Sequence, residues 1–232
     1  MKTTIMALAI GGILSACGGG GGDPPRTPAA HSPTCKAQVI VQLFGDSTQV
    51  AAYRWGYLQQ ELDARYGAGK VQLVLQAVSG TNSQQLVAGT DGLNTPWPGT
   101  LDADIAMVNH GINDEGYHHD DLATYASDMR LFAVGDGRAR MVIETPNPIA
   151  RWVNTPDAPW AEAGRAAAAD AGIPVADVQA YVLSLPNWEA MLTGDGSHPD
   201  DGIHPSHELA KLIAHNVTAP ALEPLIDGMI CK

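Results

Sequence analysis

The sequence predicts an α/β protein, a three-layer α/β/α sandwich around a mainly parallel central sheet. Short apolar runs rich in β-branched residues alternate with segments of helical periodicity, at the spacing of βαβ units. Polar motifs follow several of these runs, where the loops of such a sheet gather. Residues 39–44 form a compact apolar run and read as a buried strand. Residues 49–66 carry Val50, Tyr53, Tyr57, Leu58 and Leu62 at helical spacing, and Gly67 and Gly69 stop that helix. A second strand is expected over 71–78 and a third over 104–109. A helix over 122–133, a fourth strand over 141–145 and an alanine-rich helix over 160–171 come next. A short fifth strand over 173–176 and a closing helix over 206–222, with Pro220 near its end, complete the pattern. No internal repeat and no second-domain boundary interrupts it.

The chain has 232 residues, enough for one substantial α/β domain once a leader is set aside. Its hydrophobic share of 45% and charged share of 16% suit a globular protein. A formal net charge of −12, with no basic stripe, argues against nucleic acid as a partner.

Residues 1–16 read as a signal peptide. Lys2 gives a positive start, and the apolar run from Ile5 to Leu14 is too short to favour a spanning helix. Leu14-Ser15-Ala16-Cys17 resembles the lipobox of bacterial lipoproteins, which implies lipidation of Cys17 and a membrane contact through that anchor. An ordinary secretory cleavage site is the alternative. Residues 17–34, with Gly18 to Gly22 and then Pro24, Pro25 and Pro28, read as a flexible tether, leaving 35–232 as the folded domain. Gly18 after the cysteine favours the outer membrane of a bacterial envelope, by resemblance to sorting signals. Cys35 and Cys231 stand at opposite ends of the domain. In an oxidising compartment they bond as a clasp; otherwise they remain two thiols.

Four polar motifs bear on chemistry. Gly45-Asp46-Ser47, Ser79-Gly80-Thr81-Asn82 and Gly111-Ile112-Asn113-Asp114 each follow a predicted strand, and Asp201-Gly202-Ile203-His204 precedes the closing helix. Alone, Ser47 reads as a helix cap more readily than as a nucleophile. A serine nucleophile needs a base and a carboxylate to orient that base, and Asp201 and His204 have a spacing one turn can hold together. The developing oxyanion needs donors, which the N–H groups of Ser47 and Gly80 and the side-chain amide of Asn113 can supply.

In this order the motifs resemble the SGNH, or GDSL, hydrolase family. The resemblance runs from Val39 to His204 and implies an SGNH-hydrolase, flavodoxin-like fold. It implies Ser47 as nucleophile, His204 as base and Asp201 as its orienter, with Ser47, Gly80 and Asn113 as the oxyanion hole. Carboxylic ester hydrolysis through an acyl-enzyme follows, with no metal or organic cofactor. Thr48 after the serine matches only some branches of the family. Small-molecule or glycan esters, thioesters and lysophospholipids all stay open as substrates, and an inactive envelope ligand-binding lipoprotein is the rival from another class. The envelope setting favours acetyl groups on glycans.

Other motifs compete. Gly-x-Ser-x-Gly is absent at Ser47, because Gln49 stands two positions on. His198, Asp200, Asp201, His204 and His207 cluster, but Lys211 stands where a zinc-binding helix needs its second histidine. His118-His119-Asp120-Asp121 is a second group that could hold a metal, although solvated loop polarity explains His118 and His119 better. Trp97 and Trp152 lie in proline-bearing loops, where they either line a substrate site or pack the loops onto the body. Trp55, Trp160 and Trp188 read as packing residues.

Overall fold

The computed structural model describes residues 35–150, 158–194 and 201–231. Among them, five strands make one sheet: β1 (Val39–Gly45), β2 (Val71–Leu75), β3 (Ile105–Asn109), β4 (Arg140–Glu144) and β5 (Val175–Ala176). All pair in parallel in the order β2-β1-β3-β4-β5. The chain direction across the sheet reverses beside β1, so the crevice between the ends of β1 and β3 is the place for a ligand.

Each strand is apolar because both sheet faces are covered. On one face Val41 and Leu43 of β1 and Met107 of β3 pack under α2 (Tyr57–Tyr66), α8 (His207–Ile213) and α9 (Ala219–Asp227). On the other, Phe44 and Val108 pack under α3 (Ser83–Ala88), α5 (Leu122–Val134) and α6 (Ala158–Ala171). Burying each large side chain contributes roughly 1.5–3 kcal/mol. The three-layer sandwich is therefore present as the alternation of strands and helices implied.

Details depart from the sequence reading. The helix expected over 49–66 is two helices, α1 (Ser47–Trp55) and α2, because Gly56 adopts a left-handed φ of 71° between them. The closing helix does not stop near Pro220 but continues to Asp227. A π-helical turn at Ala214–Thr218 resets the register, so Pro220 falls in the first turn of α9, where its missing N–H is not needed. The expected second strand ends at Leu75, although Gln76 and Val78 still bond to Leu43 O and Gly45 O of β1. Three short helices were not foreseen: α3, α4 (Ile112–Gly116) and α7 (Val178–Leu183).

Cys35 and Cys231 form a disulfide with Cα atoms 4.8 Å apart, closing a loop across 196 positions. Lys36 N–H donates to Met229 O and Cys231 N–H to Lys36 O, which seats the two ends side by side. Among the described residues no helix is long and apolar enough to cross a membrane.

Candidate active site

Ser47 is the first residue of α1. Its neighbour Asp46, fully buried, is the cap: its carboxylate accepts from Thr48 N–H at 2.9 Å and from Thr48 Oγ at 2.8 Å. Burial pushes the Asp46 carboxyl above the usual range, with the nearby His110 and the Thr48 donors opposing that rise. Capping thus passes to Asp46, and the Ser47 hydroxyl is left for another partner. Gly45 must be glycine, since a Cβ there would lie 2.3 Å from the backbone oxygen of Asn109 on β3. That close approach draws together the ends of the two strands that carry Ser47 and Asn113.

The hydroxyl meets His204. His204 Nε2 lies 2.7 Å from Ser47 Oγ, and His204 Nδ1 lies 2.5 Å from Asp201 Oδ2. The other Asp201 oxygen accepts the N–H groups of Ile203 at 2.8 Å and His204 at 2.9 Å, so a single turn fixes carboxylate and imidazole. Partial burial works to raise the Asp201 carboxyl. The His204 and Ile203 donors outweigh it and leave the group below its ordinary range, an ionised partner for the imidazole. The turn is braced on two sides. Asn147 Nδ2 donates to Ile203 O at 2.8 Å and Ala150 N–H to Gly202 O at 2.9 Å, while Gly194 N–H donates to His204 O and Gly202 N–H to Leu192 O.

Gly80 and Asn113 stand at matching levels. Val78 N–H bonds to Gly45 O, and Gly45 is in register with Asn109, so both loops leave the sheet where Ser47 does. Val78 to Thr81 is a tight turn in which Thr81 N–H points to Val78 O; Gly80 takes the φ of 80° that such a turn requires. Asn113 Nδ2 donates to Thr81 O at 2.9 Å, which uses one of its two N–H groups. Ser47, His204 and Asp201 are thus joined directly, and Gly80 and Asn113 are joined to each other through Thr81.

Residues without an assigned role also hold the site. Asp114, fully buried, accepts Gly111 N–H at 3.0 Å and Ser83 N–H at 2.9 Å. The Gly111-to-Asp114 interval matches that of a helix-start motif, which is the signal that was available in the sequence. The solvated reading of His118 and His119 holds for His119, which is exposed, while His118 and the neighbouring Asp120 and Asp121 also tie the loop down. His118 Nε2 donates to Gly80 O at 3.1 Å, Asp120 accepts from Asn82 Nδ2 at 2.6 Å, and Asp121 caps α5. Glu144, at the end of β4, accepts from Gln49 and Thr218, and burial raises it to about 7 against those donors. It lines a cavity of about 50 Å³ beneath α1, with room for a few waters.

The tryptophans sort cleanly. Trp97 belongs to the core, edge-on to Phe44 and Phe132, with Nε1 donating to Leu131 O. Trp160 packs on Tyr125, and Trp188 lies partly buried against the core. Trp55 stacks on His207, which is exposed. Trp152, Cys17, His198 and Asp200 lie outside the described residues. Among the described residues no three His, Cys, Asp or Glu side chains are grouped to hold a metal ion.

A hydroxyl, an imidazole and a carboxylate in line at the crevice of a parallel sheet form the arrangement of a hydrolase working by nucleophilic attack. The model of the GDSL-like Lipase/Acylhydrolase family matches residues 43–212, and the chain belongs to that family. It is an SGNH/GDSL-type hydrolase. Solved structures share the fold at low identity. A single-residue variant of Axe2, an acetyl xylan esterase from Geobacillus stearothermophilus, is 18% identical with a TM-score of 0.62, covering 85% of this chain and 98% of that one. A lipase/acylhydrolase from Enterococcus faecalis is 16% identical with a TM-score of 0.62, covering 84% and 99%. The α/β hydrolase LAE5, from the metagenome of Lake Arreo, is 20% identical with a TM-score of 0.60, covering 84% and 98%. A search of curated proteins returned no match.

Proposed function

We propose that the protein is a serine esterase in which Ser47 is the nucleophile, His204 the base and Asp201 its orienter. The observation that carries this reading is the unbroken line from Ser47 Oγ through His204 Nε2 and Nδ1 to Asp201 Oδ2. His204 takes the Ser47 proton as Oγ attacks the ester carbonyl. The oxyanion is met by the N–H groups of Ser47 and Gly80 and the second amide N–H of Asn113. On collapse, the bond to the alcohol oxygen breaks and His204 returns the proton to that oxygen. Water, deprotonated by His204, then attacks the acyl-enzyme and frees Ser47 and the carboxylic acid.

Short acyl groups are the proposed substrate class, and acetyl esters of envelope glycans the leading member. Two of the structural neighbours are acetyl xylan esterases, which supports this preference. Ser47→Ala is expected to fold normally and to lose turnover of p-nitrophenyl acetate. Wild-type turnover is expected to fall along an acyl-length series, and acetate to appear from acetylated glycan. Preference for long chains without acetate release rejects the deacetylase reading, and full turnover by Ser47→Ala rejects the esterase.

The lipobox also supports attachment through Cys17 to a bacterial membrane, the outer one by the identity of Gly18. Radiolabelled palmitate incorporated by the wild type and not by Cys17→Ser is the expected outcome. Equal labelling rejects the anchor.

A further inference from the structure

The two oxyanion donors outside α1 come from loops on β2 and β3, and these strands are not neighbours, because β1 lies between them. Strands two places apart are separated by roughly 10 Å. Backbone pairing through β1 sets the level at which each loop leaves the sheet, and side chains beyond the strand ends set how Gly80 and Asn113 approach each other there. A donor misplaced by an ångström loses much of its effect on a transition state.

We infer that Asp114 is a positioning residue for the oxyanion hole, its carboxylate latching the loop of Gly80 to the loop of Asn113. One oxygen holds Ser83 N–H at 2.9 Å, three residues beyond Gly80. The other holds Gly111 N–H at 3.0 Å, two residues before Asn113. The remaining ties between the loops run one atom to one atom: Asn113 to Thr81 O, His118 to Gly80 O, and Asn82 to Asp120. Asp114 alone among these holds a backbone N–H of each loop with the same group, and it does so fully buried. This assignment rests on the serine-esterase reading above.

The latch needs both oxygens as acceptors, so its charge state matters. Burial pushes the Asp114 carboxyl up to about 6; Ser83 opposes that rise and Asp120 adds to it. Asp46 ahead of α1 and Asp128 and Tyr125 on α5 also face it, and His110 at the end of β3 faces Asp46. A proton on either oxygen makes it a hydroxyl, a weaker acceptor for its N–H, and loosens one loop. Below about pH 6 the latch is therefore loosened as Asp114 takes up a proton. Turnover then falls on acidification through about pH 6 by the factor that loosening the latch costs.

The test compares wild type, S47A and D114N on p-nitrophenyl acetate, with kcat expressed per serine titrated by a fluorophosphonate. Asn at position 114 keeps the shape but offers one acceptor, and presents N–H to the other donor. Expected for D114N is a loss of 10- to 100-fold in kcat at pH 8 with KM within threefold, and a wild-type-to-D114N ratio that shrinks toward one as pH falls through about 6. Titrated kcat within twofold of wild type at pH 8, or a ratio that does not change with pH, overturns the latch while leaving the esterase standing. Should D114N not fold, S83P decides. Proline suits the first position of α3 and removes the N–H that Asp114 holds. A loss of kcat above twofold supports the latch, and kcat within twofold of wild type overturns it. Turnover by S47A equal to wild type overturns the esterase reading itself, a separate failure.

Discussion

His204 and Asp201 sit three residues apart in one turn, whereas Gly80 and Asn113 arrive on loops from strands that do not touch. The first pair is fixed by local hydrogen bonds from Asp201 to the backbone of its own turn. The second pair is fixed by side chains reaching between segments about 30 residues apart in sequence, such as Ser83 to Asp114. The electrostatics divide in the same way. Asp201 is held below the ordinary carboxylate range by donors that outweigh its partial burial, and Asp114 is pushed above it by burial that outweighs its donors. The carboxylate of the base side is thus harder to protonate than that of the donor side. Catalytic groups that form a local unit tolerate change elsewhere; groups assembled across the sheet depend on a latch.

Breaking the base side should have the largest effect. Ser47→Ala is expected to lower kcat by on the order of 10⁴-fold or more, and Asp201→Asn by about 10⁴-fold, with KM little moved; steady-state kinetics check both. The donor side should respond less. Asn113→Ala removes one oxyanion donor and the tie to Thr81, with an expected loss of about 10²–10³-fold in kcat. A loss as large as that of Ser47→Ala would erase the distinction between the two sides.

Opening the disulfide, remote from both, should touch stability and leave turnover at 25 °C alone. Replacing Cys35 and Cys231 with serine opens a loop across 196 positions, worth up to about 5 kcal/mol in the chain-entropy description. Urea denaturation would measure it. Glu144 sharpens the electrostatic contrast further. Its folded value of about 7 lies above the ordinary 4.5, so the folded protein holds that proton more tightly than the unfolded chain does. The stability this contributes is complete below pH 4.5 and is lost as pH rises through 7. E144Q should therefore gain stability over wild type between pH 5 and pH 8, by up to about 3 kcal/mol. Melting temperatures at the two pH values check the sign, and a gain confined to pH 5 would contradict it.

What could be read from the sequence follows the same division. Asp201 and His204 were visible because their interaction is short-range, and Ser47, Gly80 and Asn113 because strand ends converge in a parallel sheet. The latch was not visible. Nothing near Asp114 in sequence announces that Ser83 is its partner, and the polarity of His118 and Asp120 looked the same as that of any solvated loop. Gly56 was missed because the apolar periodicity runs through it unbroken, and only the left-handed backbone divides the helix. Pro220 misled because a π-helical turn lets the helix accept it. Trp97 had two open roles, and only the position of Phe44 and Phe132 decides for the core.

Everything proposed for the site turns on Ser47 carrying the acyl group between the two half-reactions. Quenching the enzyme in acid within its first turnovers on p-nitrophenyl acetate, then mapping peptides by mass spectrometry, tests it directly. A single acetyl group is expected on the peptide containing Ser47, absent from S47A. Turnover without that label, or an acetyl group on another residue that persists in S47A, would contradict it.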